Sequence, residues 1–313
     1  MSLVLNSIVP IFAVIALGSF LKRSALIDEN FVRVSDRLVY YIFLPLLLFW
    51  KIGKPVEAVT VEWRFIAGAL LAIFAVFLLS LIIAKLLKMP DRSVGSFSQS
   101  CYRFNSYIGI AVILTAIGEN GVKEFGVLIG FAIPLINVLA VSSMIRYSGQ
   151  NDSQGRRWLF LFKSVAANPL IISCLLGILY SNLGIPFPIV VERLLDLMAV
   201  MSLPLALISV GGSLTFSKFR GHFAYSLIAG LCKLVVLPAL GYLLLMRLHI
   251  SETALKVAMI YFALPTSPQN RVLSALLDSD PDLDTSAVVL STMLSIVSLS
   301  LMLILFCEAP TIK

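Results

Sequence analysis

The feature that most constrains this chain is a series of long apolar stretches joined by short polar connections. They fall at 3–21, 31–52, 64–87, 94–117, 123–145, 158–181, 186–210, 222–246, 252–277 and 285–307. A helix needs about 20 residues to cross ~30 Å of hydrocarbon. Only helices and closed barrels satisfy their backbone groups there. The pattern therefore predicts an all-α polytopic membrane protein with ten transmembrane helices. Composition agrees, since 59% of the 313 residues are hydrophobic and 13% are charged, where a soluble domain carries about 25% charged residues. Connections such as Gly118-Glu119-Asn120-Gly121 hold no soluble domain. The first stretch is not read as a signal peptide, because Lys22 and Arg23 follow it instead of preceding it.

The net charge of +7 would suggest nucleic acid in a soluble chain. In a membrane protein it is first a matter of orientation, because cytoplasmic flanks collect Lys and Arg. With the N-terminus outside, the inner flanks hold thirteen basic residues: Lys22, Arg23, Arg33, Arg37, Lys85, Lys88, Arg92, Arg146, Arg156, Arg157, Lys163, Lys218 and Arg220. The outer flanks hold eight: Lys51, Lys54, Arg64, Lys123, Arg193, Arg247, Lys256 and Lys313. Both termini are accordingly expected outside, and no nucleic-acid partner is expected. Three basic residues, Arg103, Lys233 and Arg271, lie within the spans themselves.

A shift of 159 residues superposes the chain on itself. Pro10 falls on Pro169, Gly18 on Gly177, Pro45 on Pro204 and Gly53 on Gly212. The expectation is a first repeat over 1–147, a short cytoplasmic linker at 148–157 and a second repeat over 158–313. Five spans in each half force the second half to enter from the opposite side. The repeats are thus inverted, an architecture of secondary transporters with substrate sites at interrupted helices near the midplane.

Span four is polar at its centre, Arg103-Phe104-Asn105-Ser106-Tyr107-Ile108-Gly109, and so is span nine, Leu264-Pro265-Thr266-Ser267-Pro268-Gln269-Asn270-Arg271. The same shift carries Ser106 onto Pro265 and Gly109 onto Pro268. Pro265 and Pro268 remove two backbone donors and disfavour helix before them, so a break is predicted. Broken backbone inside a membrane is tolerated only where it is buried in protein or lines a cavity. Two facing breaks thus make a binding site. The N-terminal end of a half-helix, with its partial positive charge, favours an anion or carboxylate. Asn105, Ser106, Thr266, Ser267, Gln269 and Asn270 could add hydrogen bonds, and Arg103 or Arg271 a full charge.

These residues resemble the auxin efflux carrier family of membrane transporters, over essentially the whole chain. The likeness rests on Arg103-x-Asn105-Ser106-x-x-Gly109-Ile110, on Asn168-Pro169-Leu170 and on Leu264-Pro265-Thr266-Ser267. The resemblance implies a fold related to that of bile acid/sodium symporters, with helices four and nine crossing at their breaks. It also implies an elevator-type movement of a transport bundle. The short segment 147–157 resembles the bacterial branch, which implies the inner membrane. Ala111 stands where the family usually has Pro, leaving the first break to Asn105 and Gly109. Gln269 and Asn270 stand where the family commonly has one Asn.

Lys233, in span eight, has two open roles: bracing the end of a half-helix by binding its carbonyls, or touching substrate. Asp36 and Asp196 read as salt-bridged flanks. No Asp or Glu lies among the crossover residues, which disfavours proton coupling through a carboxylate there. Coupling to Na+ or H+ stays unassigned. The run Asp278 to Asp284 lacks the Gly and the Glu of a calcium loop, and it reads as a solvated acidic turn. No metal site, cofactor or enzyme motif is found. The expected activity is secondary transport of small organic anions, the alternative being a membrane-embedded sensor or a channel. The expected partners are the anion, the bilayer and a second copy in a homodimer.

Overall fold

The computed structural model describes residues 2–54, 61–147, 166–215 and 219–308, and these are helical with no strand among them. The linker expected at 148–157, and with it Arg156, Arg157, Lys163, Lys218 and Lys313, lies outside the described residues. In chain order the helices are α1 (Ser2–Arg23), α2 (Glu29–Leu38), α3 (Leu44–Gly53), α4 (Trp63–Leu86), α5 (Asp91–Ser100), α6 (Ser106–Ala116) and α7 (Glu119–Tyr147). They continue as α8 (Pro169–Asn182), α9 (Ile189–Ser213), α10 (Phe219–Leu231), α11 (Leu237–Leu245), α12 (Glu252–Ala263), α13 (Asn270–Leu276) and α14 (Pro281–Leu303). Short π-helical stretches, Val39–Phe43 and Cys232–Val236, join α2 to α3 and α10 to α11. Each stretch precedes a proline, Pro45 or Pro238. A proline lacks an N–H and crowds the carbonyl one turn back, and a wide turn relieves both.

Among the described residues, six helices are long and apolar enough to cross a membrane. Their outward faces carry large apolar side chains such as Phe20, Trp63, Leu71, Val190, Val200 and Val297, all more than half exposed. Apolar surface on that scale suits lipid. The expected span four is divided into α5 and α6, and the expected span nine into α12 and α13.

The packing repeats at the 159-residue shift. Helix α1 lies along α9, and α8 lies along α3; the shift carries α1 towards α8 and α3 into α9. At the first contact, a Cβ on Gly18 would collide with the Ile208 backbone and one on Gly211 with the Ile15 carbonyl. The two backbones therefore touch, as small residues permit between membrane helices. At the second contact, a Cβ on Gly177 would come 3.3 Å from the Phe49 carbonyl. Around the breaks, α5 packs on α7 and on α14, while α12 packs on α14 and on α7. The Leu3 N–H donates to Glu308 Oε1 at 2.9 Å, so the start of α1 and the last described residue lie together at one end of the helices.

Candidate functional site

Helix α5 stops at Ser100, and α6 starts at Ser106 because Asn105 caps it. The Asn105 Oδ1 accepts from the N–H groups of Tyr107 (3.0 Å) and Ile108 (3.3 Å), satisfying two of the donors that a helix start leaves over. The Asn105 N–H donates to the Pro265 carbonyl at 2.8 Å. That bond brings the two breaks together. Phe104 adds an edge contact to the Tyr261 ring, with centroids 4.6 Å apart, and the Tyr107 hydroxyl comes against the Gln269 side chain.

In the second break the chain is extended at Leu264. The Thr266 N–H donates to Ser291 Oγ at 3.2 Å, and Asn270 Nδ2 donates to Thr266 Oγ1 at 3.0 Å. At the end of the α12 helix that enters this break, the Tyr261 carbonyl accepts from the Leu264 N–H at 3.3 Å, and those of Phe262 and Ala263 are met by side chains from other helices. Lys233, wholly buried, reaches across and donates to Phe262 O at 2.7 Å and Tyr261 O at 3.4 Å. Ser298 Oγ donates to Ala263 O at 3.0 Å. A cation at the negative end of a helix is favourable. Of the two roles read for Lys233, this is the bracing geometry.

The sequence-derived residues thus separate by position. Asn105, Pro265, Thr266, Ser267 and Asn270 are buried at the crossing, with Ser106 and Pro268 half-buried beside them. Gln269 and Arg271 are exposed. Arg103 is half-buried, and its Nη1 is enclosed with no hydrogen-bond partner among the described residues. Gly109 is an ordinary helical residue. Its role is closeness: a Cβ there would lie 2.7 Å from both Leu264 and Phe125, so the bare backbone lets the second break approach α6.

Three expectations are corrected. The acidic turn is not all solvated, because Asp284 is completely buried and its Oδ1 accepts from Gln99 Nε2 at 2.9 Å and Ser100 Oγ at 3.3 Å. A carboxylate therefore does stand beside the first break, within electrostatic reach of Arg103. Asp36 Oδ1 accepts from Ser209 Oγ at 2.5 Å, a hydroxyl of α9 taking the place of the expected salt bridge. Asp196 is exposed, and it is Glu192, one turn earlier, that pairs with Lys54 at 3.5 Å.

Sequence reasoning also missed a buried polar seam. The Ser96 Oγ meets Ser274 Oγ at 2.8 Å and Ser279 Oγ at 2.9 Å, and Ser93 Oγ donates to Asp280 Oδ2 at 2.9 Å. Serines 93, 96 and 100 with Gln99 follow helical spacing. That is the signal which could have shown one polar face of α5 turned inward.

The model of the membrane transport protein family matches residues 3–303. An uncharacterised transporter of Methanocaldococcus jannaschii is 22% identical over 298 residues, covering 93% of this chain and 95% of that protein. A protein of Rhizobium meliloti named "putative malonate transporter" is 24% identical over 303 residues, covering 94% and 92%. An uncharacterised transporter of Methanothermobacter thermautotrophicus is 30% identical over 146 residues, covering 45% and 46%. A family match over nearly the whole length, on a chain whose helices break and meet inside apolar surroundings, places the protein in the membrane transport protein family, the auxin efflux carrier family that its crossover residues resemble.

Proposed function

We propose that the protein is a secondary carrier of small organic anions, with substrate held where the breaks of α5–α6 and α12–α13 meet. The observation that carries this reading is the Asn105 N–H to Pro265 carbonyl bond, beside an Arg103 nitrogen that has no partner among the described residues. A buried guanidinium nitrogen left unpaired is unfavourable, and a carboxylate satisfies it in charge and in shape. The capped start of α6 adds partial positive charge at the same place. In this reading the chain has ten spans in two inverted halves, 1–147 and 158–313. Its support is the reciprocal packing of α1 on α9 and α8 on α3 at the 159-residue shift. The crossing moves as part of a bundle past a scaffold in an elevator-type cycle, in the bacterial inner membrane with both termini outside. The relative's name makes malonate the first dicarboxylate to test.

The test is counterflow in proteoliposomes. Labelled malonate and other small dicarboxylates are offered to vesicles loaded with the unlabelled acid. Saturable, trans-stimulated uptake is expected. Asn105→Ala and Pro265→Ala should each abolish it while folded protein stays in the membrane. Flux that rises linearly with gradient would indicate a channel, and full transport in both variants would refute the crossover site.

A further inference from the structure

Asp284 lies one turn into the last span, whose start is capped by Asp280 Oδ1 accepting from the Leu283 N–H at 3.1 Å. It is completely enclosed by protein. All the donors to its Oδ1 are neutral: the Gln99 amide at 2.9 Å and the Ser100 hydroxyl at 3.3 Å. Its Oδ2 is equally buried and has no hydrogen-bond partner among the described residues. Gln99, also fully buried, spreads its Nε2 over Asp284 Oδ1, Ser274 Oγ (2.9 Å) and Asn270 O (3.2 Å), and its own Oε1 is unpartnered. Two acceptors thus stand without a donor in one buried pocket of polar groups. The Ser274 and Ser96 hydroxyls also lie against this carboxyl, and a buried carboxylate surrounded by neutral groups alone is an expensive arrangement.

The charged and titratable groups around it are otherwise engaged. One turn earlier, Asp280 is held by Ser93 and lies 3.3 Å from His222. From span eight, Lys233 is turned to the α12 carbonyls. On α12, Lys256 and Glu252 pair with each other. On α13, Arg271 is exposed, and on α1, Lys22 pairs with Glu29 at 3.8 Å. The groups whose fields reach Asp284 are Tyr102 and Arg103 of the first break.

We propose that Asp284 is a proton-binding site, taking up a proton on Oδ2 when an organic anion occupies Arg103. The coupling rests on the carrier reading above; the proton site itself does not. A metal cation needs several oxygens around it, whereas Oδ1 is already filled by N–H and O–H donors, and one vacant lone pair suffices for a proton. The charges then balance. Without substrate, Arg103 and Asp284 are each other's counter-ions. With an acid carrying a single negative charge on Arg103, hydrogen malonate among them, Asp284 loses that partner, and a proton from water bound at Oδ2 returns the pair plus its cargo to neutrality; a fully ionised dicarboxylate leaves one negative charge even after that proton is taken up. The proton leaves with the anion, so an inward proton gradient drives uptake.

Infrared difference spectroscopy of the wild-type protein between acid and neutral pH should show a protonated carboxylic acid band that Asp284→Asn lacks. No such band in the wild type, or its persistence in Asp284→Asn, overturns the proton site whatever the transport result. Gln99→Leu removes a donor that favours the ionised form, so the midpoint of the band should move to higher pH; an unshifted midpoint also counts against the site. In proteoliposomes an inward proton gradient should accelerate wild-type malonate uptake. Asp284→Asn should lose that acceleration while malonate counterflow continues. Wild-type uptake that ignores the proton gradient, or follows a sodium gradient instead, overturns the coupling. Absent wild-type counterflow with the band in place would leave the proton site standing and overturn the carrier reading alone.

Discussion

The two breaks that meet at the crossing are made by different chemistry. The first contains no proline. It is an ordinary helix end followed by an ordinary helix start, and the start exists because Asn105 satisfies the Tyr107 and Ile108 amides. The second is written into the backbone, since Pro265 and Pro268 have no N–H to give, and its downstream helix starts without a side-chain cap at Gln269. Its weak point lies upstream, where the free carbonyls of α12 are covered by Lys233 and Ser298 from other spans. One break therefore depends on a local side chain, and the other on distant ones. A local cap is kept or lost by one residue, whereas a remote brace ties the break to the packing of span eight and of α14.

That contrast can be broken experimentally. The largest effect is expected at the remote brace: Lys233→Met leaves the buried Phe262 carbonyl without its donor and the Tyr261 carbonyl with the Leu264 N–H alone, and should cost about 2 kcal/mol or more, seen as a lowered Tm in detergent. A Tm that is unchanged while substrate affinity falls would reverse the bracing assignment. Next comes the contact between the breaks. Gly109→Val drives side-chain atoms into Leu264 and Phe125 and should cost about 1–3 kcal/mol through overpacking; an undisturbed Tm would mean that the breaks are not held so closely. At the local cap, Asn105→Ala should cost about 1 kcal/mol. The smallest effect sharpens the comparison: Asn105→Ser keeps a capping oxygen and should stay within a few tenths of a kcal/mol of wild type. Equal losses for Ala and Ser would show that Asn105 acts through something other than its cap.

Much of the candidate site was legible in the sequence because its signals are local. Asn105 before a helical run is a cap whatever surrounds it, and two prolines three residues apart stop a helix in any fold. Arg103 was singled out simply by being charged within an apolar span, and the structure leaves its Nη1 without a partner among the described residues. Arg271 was singled out for the same reason and is exposed, since a span's apolar count does not say which face a residue occupies. Asp284 was misread because, along the chain, it belongs to an acidic run of the kind that water usually solvates. Its burial follows from α14 packing on α5, a contact between residues 185 apart in sequence.

By itself, then, the sequence determined the membrane-embedded helical class, the places where α5 and α12 stop, and the residue types at the crossing. Each of these follows from backbone hydrogen bonding within a few residues. The tertiary structure alone decided that Lys233 caps a helix end 29 residues away, that α1 touches α9 backbone to backbone, and that one carboxylate of an acidic turn is sealed beside Arg103. Those outcomes depend on which helix faces meet, and in a bilayer that choice is made by small residues and buried polar pairs. Hydrophobicity cannot make it, because it is nearly the same on every face.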